Sequence, residues 1–238
     1  MPLVSVIVPT YNRAGMLVNA LDSVLEQTFG DFELIVVDDG STDKTGEVIK
    51  KYSGKVRYFA KENGGVASAR NLGLKKAGGE LVAWLDDDDF FYPQKIEKQV
   101  MYFKKHPGVG LVYTGHVTID TSSQQARKSY LVPPLFRECA TLRKALLKHC
   151  FFANSTVMMK RECFELAGVF NERLGHTVDY DMWLRTAAFF SFGCVPEVLA
   201  GYRWHGKQIS IRRDNSILPE LKKKARELYE KHPCREVE

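Results

Sequence analysis

Four short apolar runs, each followed by a segment of helical spacing, constrain this 238-residue chain more than any other feature. Val4–Val8 precedes Met16, Leu17, Ala20, Leu21, Val24 and Leu25 at helical intervals. Phe32–Val37 precedes Thr45–Tyr52, Val56–Ala60 precedes Val66–Ala77, and Leu81–Leu85 precedes Pro93–His106, with Pro93 in the first turn. Runs apolar on both faces belong to buried parallel strands, and strands alternating with helices close into a doubly wound sheet. The reading is therefore an α/β fold with a Rossmann-like, mostly parallel sheet flanked by helices.

The second half is less regular. A strand is expected over Val109–Ile119, then a polar, mobile excursion over Thr121–Arg137. Helices are expected near Ala140–His149, Arg161–Ala167 and Tyr180–Phe190, a strand over Val198–Trp204, and an amphipathic basic helix over Ile217–Lys231. The organisation expected is a ligand-binding half over 1–110, a second half of the same domain over 111–211, and the basic helix within 212–238.

Charge narrows the partners. With 34 basic and 29 acidic residues the formal net charge is +5, a mild bias that suits an anionic substrate without demanding nucleic acid. The cysteines, Cys139, Cys150, Cys163, Cys194 and Cys234, form no C-x-x-C pair and read as reduced thiols of a cytosolic protein. No leader pattern and no apolar stretch of about 18 residues is seen, so neither signal peptide nor transmembrane helix is expected.

Ligands of open parallel sheets bind beyond the carboxyl ends of the strands, and three polar clusters fall there. Pro9-Thr10-Tyr11-Asn12-Arg13 follows the first strand where a dinucleotide fold would place G-x-G-x-x-G. Tyr11 can stack on a base and Thr10 bond to it, or Asn12 can simply cap the next helix. Asp38-Asp39-Gly40-Ser41-Thr42-Asp43 follows the second strand as a turn and cap, or as a carboxylate awaiting a base or ribose donor. Asp86-Asp87-Asp88-Asp89 follows the fourth, between Trp84-Leu85 and Phe90-Phe91. Four adjacent carboxylates among apolar flanks are costly unless solvated or paired with a cation. A hard divalent ion completed by a diphosphate is the natural partner, and the spacing excludes an EF-hand. Arg70, after Asn63-Gly64-Gly65, can grip a phosphate bidentately or lie on a helix surface. Asp179 or Asp181 can cap a helix, or one can act as a general base. His205, ending Tyr202-Arg203-Trp204-His205, is a metal or diphosphate ligand or a structural histidine.

In their order these motifs, together with Asp179-Tyr180-Asp181-Met182-Trp183-Leu184-Arg185, resemble the inverting glycosyltransferase family 2, with its GT-A fold, over residues 3 to 210. The resemblance implies a nucleotide site of Pro9, Thr10, Tyr11, Asp39, Asn63, Arg70, Asp86 and Asp87, and a metal site of Asp88 and His205 for Mn²⁺ or Mg²⁺. It implies Asp179 as the catalytic base, although Val178 stands where the family often has Glu. The implied donor is a nucleoside-diphosphate-sugar, UDP-sugar favoured, and the implied acceptor is a hydroxyl of a saccharide or lipid-linked saccharide, its specificity set within Thr114–Ser155. A non-catalytic sugar-nucleotide-binding protein and a nucleotidyltransferase are the alternatives. Lys222-Lys223-Lys224 and Arg226 lie beside Ile217, Leu218, Leu221 and Leu228. Residues 212–238 are thus either a peripheral contact with the inner membrane face or a basic helix docked on the core.

Overall fold

The computed structural model describes residues 1–120, 127–175, 177–205, 208 and 216–234. His176, most of 206–215, residues 121–126 at the start of the expected excursion and 235–238 lie outside the described residues. The elements run β1 (Val4–Thr10), α1 (Ala14–Leu25), β2 (Phe32–Asp38), α2 (Thr45–Lys50), β3 (Arg57–Ala60), α3 (Val66–Lys76), β4 (Leu81–Trp84), β5 (Phe90–Phe91) and α4 (Lys95–Lys105). There follow β6 (Val109–Asp120), β7 (Arg127–Leu131), α5 (Cys139–Lys148), a 3₁₀ turn (Asn154–Thr156), β8 (Met158–Lys160), α6 (Glu162–Ala167), α7 (Val178–Thr186), β9 (Ser191–Trp204) and α8 (Leu218–Lys231).

One sheet of order β3-β2-β1-β4-β8-β6-β9-β5 carries the fold, with β7 paired to β6. β1, β2, β3 and β4 are mutually parallel, as the alternation required. β8 is antiparallel to β4 and to β6, so β6 again points the same way as β4, and β9 runs parallel to β6. The carboxyl ends of β1, β2, β4 and β9 therefore share one edge, which is why Trp204 and His205 return to the acidic run.

Period-two burial splits each strand between two apolar layers. Val6 and Val8 face Leu17, Leu21, Ile96 and Val100 on one side of the sheet, while Ile7, Val37, Val82 and Trp84 face α3, α6 and α7 on the other. α8 buries Leu221, Ala225 and Tyr229 in this second layer. Arg143 of α5 stacks on Tyr229, its guanidinium 4.6 Å from the ring centre, and donates to Ala187 O, Ala188 O and His232 O at 2.8 Å each. The apolar stripe of the basic helix is thereby spent on the core. No helix among the described residues is long and apolar enough to cross a membrane.

Two expectations are corrected. Cys139 and Cys234 are not free thiols: α5 and α8 bring their Cα atoms to 5.8 Å and they form a disulfide across 95 positions, a proximity no local spacing announces. Cys150, Cys163 and Cys194 form no disulfide among the described residues. Part of the expected excursion is ordered, because Arg127–Leu131 pairs with β6 as β7. The short strand β8, three residues long, has no periodicity of its own to read.

Candidate active site

β1 ends in Thr10, whose hydroxyl donates to Asp87 Oδ2 at 2.7 Å. Arg13, the residue preceding α1, completes that link: its Nη1 lies 2.8 Å from Asp87 Oδ1 and 2.5 Å from Asp88 Oδ2. Burial works against the Arg13 charge, but Asp87 and Asp88 outweigh it and hold the guanidinium pKa above its ordinary value. Burial and neighbouring Asp88 push Asp87 up to about 7, against the opposing pull of Arg13 and Thr10. Both Asp87 oxygens are thus engaged within the protein.

Each carboxylate of the run has different partners. Asp86 Oδ1 accepts from Arg70 Nη2 at 2.7 Å and from Asn154 Nδ2 at 3.0 Å. Asp88 Oδ2 also meets His205 Nε2 at 3.0 Å. Asp89 is fully enclosed, accepting from Ser155 Oγ at 2.5 Å and from the Arg203 backbone N–H at 3.0 Å. Burial, then the charges of Asp88 and Asp86, raise its pKa well above the usual carboxylate range. Gln208 fixes the strand end by donating to Arg203 O at 2.5 Å and accepting from His205 N at 3.1 Å.

The second wall is the Asp38–Asp43 turn. Asn12, in the left-handed region at φ 53°, does not cap α1; its Oδ1 accepts from Thr42 N at 2.7 Å and Asp43 N at 3.2 Å. Asp39 is 3% exposed and accepts from Lys61 Nζ at 2.8 Å, Gly64 N at 3.0 Å and Gly65 N at 2.7 Å. Asn63 Nδ2 donates to Asp39 O at 2.9 Å. Pro9 is enclosed within β1, whereas Tyr11 is 48% exposed at the mouth.

Arg70 lies under the run, its guanidinium 5.4 Å from the Phe170 ring centre and its Nε without a hydrogen-bond partner among the described residues. The segment from Phe170 leads to α7, where Asp179 is half-buried and accepts the N–H of Tyr180 at 2.8 Å. Neither acid caps α7: Thr177 precedes it, and Asp181 pairs with Arg185 at 2.8 Å.

The structure therefore brings Thr10, Asp86, Asp87, Asp88, Arg70 and His205 into direct contact and closes Asp39 with Asn63's loop beside them. Arg13, Lys61, Asn154, Ser155 and Arg203 also take part, none of them singled out among the candidate site residues of the sequence. Asn154-Ser155-Thr156, polar between apolar Phe151-Phe152 and Val157-Met158, was the available signal. Asn154 and Ser155, at the end of the stretch expected to set acceptor choice, bond to Asp86 and Asp89 of the acidic run.

A divalent ion fits this donor set. One carboxylate and one imidazole meet here, a mix that Mn²⁺ accepts, and Mg²⁺ commonly takes one or two carboxylates and the rest from phosphates. Among the described residues no cluster of three or more acidic, His or Cys side chains is arranged to hold an ion alone.

Comparison with known proteins agrees. The family model described as "Glycosyl transferase family 2" matches residues 5–166. An uncharacterized glycosyltransferase of Rickettsia typhi is 38% identical over 220 residues, 91% of this chain and 68% of that protein. The hyaluronan synthase of Pasteurella multocida is 34% identical over 89% of this chain, which spans 21% of that longer protein. Residues 1–349 of Staphylococcus aureus TarS, in complex with UDP-GlcNAc, superpose with a TM-score of 0.79 at 21% identity, covering 98% of this chain and 68% of that one. A mannosyltransferase of Pyrobaculum calidifontis, with GDP-Man and Mn²⁺, gives 0.66 at 22% identity over 96% and 69%. The chain belongs to glycosyltransferase family 2 and has the GT-A fold of its structural neighbours.

Proposed function

We propose that this chain moves a sugar from a nucleoside-diphosphate-sugar, UDP-sugar favoured, to an acceptor hydroxyl with inversion, assisted by a divalent cation. The observation that carries the reading is the 3.0 Å approach of His205 Nε2 to Asp88 Oδ2, two residues 117 positions apart brought together at the sheet's ligand-binding edge. Asp88 and His205 would hold Mn²⁺ or Mg²⁺, which when bound stabilises charge on the departing diphosphate.

The chain's own groups supply the remainder. Tyr11 offers an exposed ring for a base to stack on. Asp39 has three of about four acceptor positions filled, leaving one for a base N–H. Asn63 shapes that loop, and Pro9, Thr10 and Asp87 form the wall behind it. Arg70 and Asp86 border the ribose and diphosphate. Asp179, at the first turn of α7, takes the proton of the acceptor hydroxyl as its oxygen attacks the anomeric carbon opposite the diphosphate.

Relatives named hyaluronan synthase and chondroitin synthase favour a saccharide acceptor, and neighbours bound to UDP-GlcNAc and GDP-Man support nucleotide-sugar donors. With the apolar face of α8 docked on the core, a membrane contact of Leu218–Lys231 would rest on its basic side chains. Asp179→Asn is expected to abolish transfer while nucleotide-sugar still raises Tm; equal loss of binding would sink the assignment. Product analysis separates the rivals: release of nucleoside diphosphate supports transfer, release of pyrophosphate a nucleotidyltransferase, and no turnover a binding protein.

A further inference from the structure

Asp88 Oδ2 is claimed from two sides, by His205 Nε2 at 3.0 Å and by Arg13 Nη1 at 2.5 Å. The two claimants differ in what they can become. An imidazole can turn a lone pair toward an ion, but a guanidinium keeps its charge and has no lone pair to offer. A divalent ion sits about 2.0–2.2 Å from a carboxylate oxygen. An ion held by Asp88 would sit beside the Arg13 guanidinium, and their like charges repel. Arg13 has a second anchor, Asp87 Oδ1 at 2.8 Å, about which it can withdraw from Asp88.

We propose that Arg13 is a resident counter-cation of the donor site, which competes with the divalent ion for Asp88 and yields when a diphosphate arrives to share its charge. The proposal rests on the reading of Asp88 and His205 as the metal pair. It makes ion and nucleotide bind with positive coupling, which by linkage is reciprocal. It also separates Arg13 from a merely structural role. A guanidinium that only held the loop together would, when removed, weaken ion binding; a competitor, when removed, strengthens it.

The test is titration of the intact chain with Mn²⁺, free ion being followed by electron paramagnetic resonance, with and without UDP or GDP. Arg13→Gln is expected to bind Mn²⁺ without nucleotide ~tenfold more tightly than the unsubstituted chain, and to gain less when nucleotide is added. Arg13→Lys, which keeps the charge, should stay close to the unsubstituted chain. Equal or weaker ion binding by Arg13→Gln overturns the proposal. Should that variant not fold, the unsubstituted chain still decides: identical Mn²⁺ affinity with and without nucleotide overturns it. Asp88→Asn separates the two readings. If Mn²⁺ binding in the presence of nucleotide survives this change undiminished, the metal site itself is wrong and the proposal falls with it. If Asp88→Asn abolishes binding but Arg13→Gln does not strengthen it, only the role of Arg13 is lost.

Discussion

Asn71 grips the backbone of Phe170 from both sides, its Nδ2 donating to Phe170 O and its Oδ1 accepting from Phe170 N, each at 2.9 Å. The residues are 99 positions apart, and the pair fastens α3 immediately after Arg70 to the segment that leads to Asp179. Asn71→Ala removes both bonds and is expected to cost about 2 kcal/mol of stability. Because it loosens the approach to α7, kcat should fall more than donor affinity. Steady-state kinetics beside calorimetric nucleotide binding would check this, and loss of donor binding alone would place the segment elsewhere.

Gly40 has φ +84° and its missing Cβ would lie 2.9 Å from Asn63 N. Substitution must therefore strain the backbone and push the Asn63 loop off Asp39. Gly40→Ala should cost about 1–3 kcal/mol and weaken nucleotide binding. Chemical denaturation with a nucleotide thermal shift reads both, and an unaffected thermal shift would count against coupling between the turns.

Lys95 is enclosed, its Nζ 2.8 Å from Gln99 Oε1 and 4.0 Å from the Phe91 ring centre. Burial holds its pKa well below the usual lysine range. The unfolded chain, with an ordinary lysine, binds more protons than the folded one between the lowered pKa and about 10.4, so stability rises with pH across that window. The Lys95 contribution is about 1.4 kcal/mol per pH unit at full effect. Lys95→Met should remove this slope, gaining relative to the parent at neutral pH and losing that advantage toward pH 10. Denaturation curves at several pH values test it; parallel profiles would mean that Lys95 stays charged.

The disulfide Cys139–Cys234 closes a loop of 95 positions. On the chain-entropy account such a link is worth about 4–5 kcal/mol, less any residual structure in the unfolded chain. Reduction, or Cys139→Ser, should lower Tm and loosen the end of α8 first. Hydrogen exchange at 225–234 would show this, and unchanged protection would mean that Arg143 and Tyr229 hold the helix unaided.

Much of this was legible in the sequence because β1, β2 and β4 carry apolar runs buried on both faces, and their polar ends are short. Ile7 and Val8 point into opposite layers, so neither could be surface. Thr10, Asp39 and Asp88 then had to meet at one edge. The second half was harder for physical reasons. β8 and β5 are too short to show a period. The contacts of Ser155 and His205 with the acidic run span 66 and 117 positions, and no local pattern encodes them. Arg13 was visible as a charge, but its service to two carboxylates depends on where α1 begins.

The reversal of β8 has a consequence for how such a domain can diversify. Since β8 runs against β4, its first residues lie beside the last residues of β4, with Trp84 N donating to Val157 O at 3.3 Å. The turn bearing Asn154 and Ser155 is moored there. Residues 127–153 reach this mooring by way of β7, paired to β6, and α5, held to α7 and α8 by Arg143 and the Cys139–Cys234 disulfide. Substitution of exposed residues along this stretch should therefore leave the acidic run and its Asn154 and Ser155 contacts in register.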